Sequence, residues 1–139
     1  MMLAIALLAV LAAVHAVSAA THDLPVLCER SYIVNPRDSC ERIEIEEKVS
    51  TYQLFRVNPQ IDPACENLAV AETLCLGIQG QDCSSVYRVQ SGDTCRSIAA
   101  NAGISQTVLM LNNRNVNQDC TNLVVGEVLC VSPAIIIYT

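Results

Sequence analysis

VQSGDTC, residues 89–95, and VNPRDSC, residues 34–40, are one seven-residue phrase written twice, 55 residues apart. Each runs from a Val through a turn of small or polar residues to Asp, a hydroxyl residue and Cys. The sequence around them repeats at the same shift. Cysteines stand at 28, 40, 65 and 75 and again at 83, 95, 120 and 130, both sets spaced C-x11-C-x24-C-x9-C. The shift also lays Tyr32 on Tyr87, Ile43 on Ile98, Leu54 on Leu109 and Asn58 on Asn113. Further along it pairs Asn67 with Asn122, Glu72 with Glu127 and Leu74 with Leu129. Repetition at this period defines the architecture: two copies of one unit, at 28–78 and 83–133. LGIQGQD (76–82) reads as a short polar linker with two glycines.

Residues 1–20 carry no charged side chain and end in the small residues Ser18, Ala19 and Ala20. That pattern reads as a secretory signal peptide. A membrane anchor of similar length is the rival; the extreme N-terminal position and the small residues favour cleavage. The remaining chain, ~119 residues, is then expected outside the cell and holds all eight cysteines. An even cysteine count in an oxidising compartment implies disulfides. The repeat of the four-cysteine set implies two bridges inside each unit, a useful staple for cores this small. Spacing leaves three pairings per unit open.

No C-x-x-C occurs, and His22 is the one histidine beyond the signal, so neither a metal nor any other cofactor is expected. Fourteen acidic residues against eight basic give a formal charge of −6. Without a Lys/Arg cluster such a chain repels phosphate. Nucleic acid is therefore not an expected partner, nor is a membrane once the signal is removed.

The second unit shows its elements more plainly. VYRVQ (86–90) alternates as a half-buried strand does. Gly92 suits a turn, and Asp93 or Thr94 can cap a helix carrying Cys95, Ile98, Ala99 and Ala102 on one face. Gly103 ends that helix, Ser105 opens another, and EVLCV (127–131) closes the unit as a strand. The order is β-α-α-β. In the first unit RIEIEEK (42–48) alternates like a strand, but the repeat and the Glu and Lys content favour helix. Ser50 and Gln53 read as a capping box opening the next helix. The fold class is α+β: two tandem disulfide-stapled units of this order.

These units resemble the LysM family in its cysteine-containing, secreted fungal form. The second copy carries the resemblance in YRVQSGDTCRSIAANAGIS (87–105), Asn113 and CTNLVVGEVLCV (120–131). The first carries it in YIVNPRDSCERI (32–43), VNPQI (57–61) and CENLAVAETLCL (65–76). Arg37 replaces Gly92 and Ala71 replaces Gly126 there, so its turn is expected to be built differently.

The resemblance implies, for each unit, two helices packed on one face of a two-stranded antiparallel sheet. It also implies binding of N-acetylglucosamine polymers, chitin above all, in a groove with two lips. One lip would be Gly92, Asp93 and Thr94, matched by Arg37, Asp38 and Ser39. The other would be Asn113, Arg114, Asn115 and Val116, matched by Asn58, Pro59, Gln60 and Ile61. An N-acetylhexosamine offers amide, methyl and hydroxyl groups but no charge. A Gly-containing turn exposes backbone donors and acceptors to it, and Ile61 or Val116 offers an apolar floor for a pyranose. The second unit is expected to be the stronger site, because Gly92 admits close approach where Arg37 does not. Sequestration of chitin fragments from host receptors, shielding of a fungal wall from chitinases, association with that wall and ligand-induced self-association are all compatible with the resemblance.

Plainer readings compete at several positions. Asp38 and Asp93 are read foremost as helix caps, and Tyr32 and Tyr87 as strand residues packed on helices. Asn58 and Asn113 can simply end helices, and Glu44, Glu46 and Glu47 read as a solvated helix face. No catalytic residue is expected, since the chain beyond the signal holds no candidate triad. A hydrophobin is excluded by the lack of adjacent cysteines. A structural cell-wall protein or another cysteine-rich secreted protein, such as a protease inhibitor, is the alternative.

Overall fold

A computed structural model describes residues 27–139, so the expected signal peptide at 1–20 lies outside the described residues. The chain runs β1 (Cys28–Ile33), α1 (Cys40–Glu46), α2 (Thr51–Val57), β2 (Thr73–Ile78), then β3 (Val86–Arg88), α3 (Cys95–Ala102), α4 (Gln106–Asn112) and β4 (Val128–Cys130). β1 pairs antiparallel with β2, and β3 with β4, in two separate sheets. The β-α-α-β order expected from the sequence therefore occurs twice.

The ambiguous RIEIEEK stretch is helical, and burial shows why. Cys40, Ile43 and Glu44 face inward at helical spacing, while Ile45 turns to solvent. A strand would have put Ile43 and Ile45 on one face. Ser39, Ser50, Thr94 and Ser105 cap the four helices, each accepting from the backbone N–H three residues on. Thr94 and Ser97 form a reciprocal capping box. Gly103 ends α3 in the left-handed conformation, as expected. The apolar face of α3 stops at Ala99, however; Ala102 is exposed in the helix's last turn.

Each half has its own core. Ile43, Leu54, Leu74 and Leu76 centre the first, and Ile98, Leu109 and Leu129 the second. Burying side chains of this size contributes about 1.5–3 kcal/mol each. The disulfides are nested: Cys28–Cys75 and Cys83–Cys130 outside, Cys40–Cys65 and Cys95–Cys120 inside. The separations of 47 and 25 residues correspond, taken singly, to about 4 and 3.5 kcal/mol in the loop-entropy model.

Two expectations fail in the joint between the halves. LGIQGQD is not a free linker. Leu76, Gly77 and Ile78 belong to β2, and Asp82 holds Arg30 of β1 through paired side-chain contacts. Gln53 is not the return partner of a capping box. It is fully buried, its amide donating to Leu76 O at 2.6 Å and Asp82 Oδ1 at 2.7 Å. Its oxygen accepts from Cys83 N at 2.8 Å and from the Tyr138 hydroxyl at 2.7 Å. The strand register explains the first contact: pairing steps from Arg30–Gly77 to Ser31–Cys75, and the skipped Leu76 leaves its carbonyl to Gln53. A buried amide with all these bonds made is a joint, and the two halves pack against each other through it.

Candidate functional site

The same aspartate staple builds the turn between strand and first helix in both halves. Asp93 Oδ2 accepts from the Tyr87 hydroxyl and from Gln90 N, both at 2.7 Å. Asp38 Oδ2 accepts from Tyr32 at 2.8 Å and Asn35 N at 2.7 Å. These aspartates staple the turn and do not cap the helix, a role that falls to Ser39 and Thr94. The Asn35 N–H, joined by the Tyr32 hydroxyl, holds the Asp38 carboxyl below its usual range. The tyrosine rings pack at the edge of each core, as expected, and their hydroxyls supply the staple.

Gly92 sits at φ +87°, with empty space where a Cβ would stand. Arg37 occupies the equivalent place at φ 75°, and Ala71 at φ 69° matches Gly126 at φ 94°. The expectation of a differently built turn in the first half is therefore wrong. The staple and the strand pairing hold Arg37 and Ala71 in the left-handed region, at about 1–2 kcal/mol of strain each. What differs is the exposed Arg37 side chain beside the lip.

The second lip is divided between inside and outside. Asn58 and Asn113 are almost fully buried. Asn113 donates to Leu109 O and Cys130 O and accepts from Cys130 N, all at 2.8 Å. Asn58 does the same with Leu54 O, Cys75 O and Cys75 N. Both asparagines end their helices and tie them to the final strand, so their side chains shape the lip from behind. Ile61 and Val116 also face inward, 6% and 5% exposed, as core residues. Pro59, Arg114 and Asn115 remain at the surface, with Gln60 half-buried.

One residue in each half joins the two lips. Glu127 O accepts from Val89 N at 2.8 Å, at the root of the turn. Its carboxylate accepts from Asn115 on the opposite lip. Burial pushes that carboxyl above its usual range. Glu72 O accepts from Val34 N at 2.9 Å, and its carboxylate from Gln60 at 3.1 Å. Asn67 and Asn122 lock the loop between, each bonding a backbone N–H five residues back and a carbonyl seven back. The residue types alone assign neither pair to the site, although both match across the repeat.

The outward surface of the two lips thus consists of Gly92, Thr94 and Asn115, and of Ser39, Pro59 and Gln60, flanked by Arg37 and Arg114. Such an array of small polar groups and backbone suits a neutral, hydroxyl- and amide-bearing ligand. Residues 87–132 match the LysM domain, the region that contains both lips of the second half. The chain is 26% identical over 127 residues to the secreted LysM effector LysM1 of Trichophyton rubrum, covering 75% of this chain and 50% of that protein. It is 27% identical over 123 residues to the secreted LysM effector Blys5 of Beauveria bassiana, covering 75% and 73%. The non-secreted LysM effector LysM15 of Penicillium expansum is 25% identical over 118 residues, 81% of this chain but 8% of that protein. The chain therefore spans half of the first relative and a small part of the last. Together the matches support the LysM family for this chain.

Proposed function

We propose that the chain is a secreted, non-catalytic binder of N-acetylglucosamine polymers, with chitin as its ligand and a LysM module in each half. The observation that carries this reading is the stapled turn at Gly92. Its backbone is fixed by Asp93 and Tyr87, and nothing stands beside it on the outer side. A fixed, approachable backbone presents hydrogen-bonding groups to an acetamido group at little ordering cost, each bond contributing about 1 kcal/mol net. The match at 87–132 and the relatives named as effectors support the same ligand class. Sequestering chitin fragments from host receptors and shielding a wall from chitinases both follow from such binding, and neither needs a catalytic group.

Two lips on two docked halves should favour long polymers through effective concentration. The test is calorimetry with chitin trimer and hexamer, beside retention on chitin beads with an assay for released sugar. Tighter binding of hexamer, retention and no release are expected. Gly92→Arg should weaken binding while Arg37→Gly strengthens it, both variants remaining folded by circular dichroism. Failure to bind beads and hexamer alike refutes the proposal.

A further inference from the structure

Glu44 departs from the repeat in a way the sugar site does not use. It holds on α1 the inward position that Ala99 holds on α3, and only 4% of it is exposed. What covers it is the other half. Glu44 lines an open cleft with Glu41, Thr51 and Phe55 on one side and Val124, Gly126 and Glu127 on the other. The Thr51 hydroxyl donates to Glu44 Oε2 at 2.8 Å and accepts from Val128 N of β4 at 3.1 Å. A hydrogen-bond chain thus crosses from β4 through α2 to the Glu44 carboxyl.

The charged groups around it do not neutralise it. Glu41 on α1 and Glu127 before β4 are both acidic, and Arg88 of β3 is engaged by Glu41. Lys48 lies in the neighbouring cleft with Ile45, Arg88 and Val128. Among the described residues no ion pair includes Glu44. Burial, with the nearby Glu127 and Glu41 charges, pushes its carboxyl up to about 7 against the pull of Thr51.

We propose that the two halves meet at a proton-gated interface, closed while Glu44 holds its proton and loosened when Glu44 ionises. Opening returns Glu44 to water, where an ordinary Glu ionises near 4.5. The closed state thus binds the proton more tightly than the open one. Closure is fully favoured below the open-state value and is lost as pH rises through about 7. The open fraction should grow by up to about 300-fold, the ratio set by that difference in proton affinity. The gate needs no ligand, so its failure and that of the chitin reading are separable.

The Val128 amide reports the gate directly, because its N–H crosses to Thr51. The experiment is amide hydrogen exchange on the disulfide-intact chain at pH 5 and pH 8, corrected for intrinsic rates, in the wild type and in Glu44→Gln. In the wild type, Val128 should lose protection by about 70-fold between pH 5 and pH 8, part of the full range being already spent at pH 5, while the amides of Leu54 and Leu109 keep theirs. Glu44→Gln should hold Val128 protection constant. A wild-type Val128 equally protected at both values overturns the proposal. Loss of protection in Glu44→Gln does so too, as does loss at Leu54 and Leu109 together with Val128, which would mark global unfolding.

Discussion

Replacing Gln53 by Leu keeps the side chain's size and removes every polar contact it makes at the joint between the halves. Two of the partners, the Leu76 carbonyl and the Cys83 amide, belong to residues 2% and 1% exposed. Water cannot readily replace Gln53 there. Asp82 and Tyr138 are only partly buried and can hydrate. Each buried group left unpaired costs about 1–3 kcal/mol, and the added apolar burial returns about 1–2 kcal/mol. A net loss of about 3 kcal/mol follows, or a fall in Tm of about 12 °C for a chain of this size. Urea denaturation with the disulfides intact measures it, and Gln106→Ala, exposed on α4, should change stability by less than about 0.5 kcal/mol. A loss below about 1 kcal/mol in Gln53→Leu refutes the joint as described.

Gly77→Ala should also destabilise, by about 1–3 kcal/mol, because a Cβ there would lie 2.4 Å from the Asp82 carboxyl carbon, which Arg30 and Gln53 hold in place. Thermal melts of this variant test whether Asp82 is fixed. Ala71→Gly should stabilise by about 0.5–1 kcal/mol, since it relieves left-handed strain at φ 69° and that gain exceeds the added freedom of the unfolded chain. A lower urea midpoint would refute the strain at Ala71.

The sequence by itself determined the repeat, and with it the order of elements, the helical reading of RIEIEEK and the helix starts at Ser50 and Ser105. These are local features: a 3.6-residue burial period and a hydroxyl before a helix depend on neighbours a few residues away. It also marked both turns through the repeated phrase, although the staple from the Tyr six residues before each Asp came from the structure. Only the tertiary structure decided which disulfide pairing each half adopts, because spacing does not distinguish nested from crossed bridges. It decided that Asn58, Asn113, Ile61 and Val116 face inward, for a type-based reading cannot tell a buried amide from a solvated one. It decided, too, that Arg37 and Ala71 adopt a backbone normally left to glycine, because long-range pairing overrides the local preference. Gln53 and Glu44 depart from their sequence reading for the same physical reason. The first reads as a cap and the second as a solvated face until the other half of the chain packs over them. Burial by a partner more than 70 residues away, as Val128 is from Thr51, leaves no signature in the residues beside it.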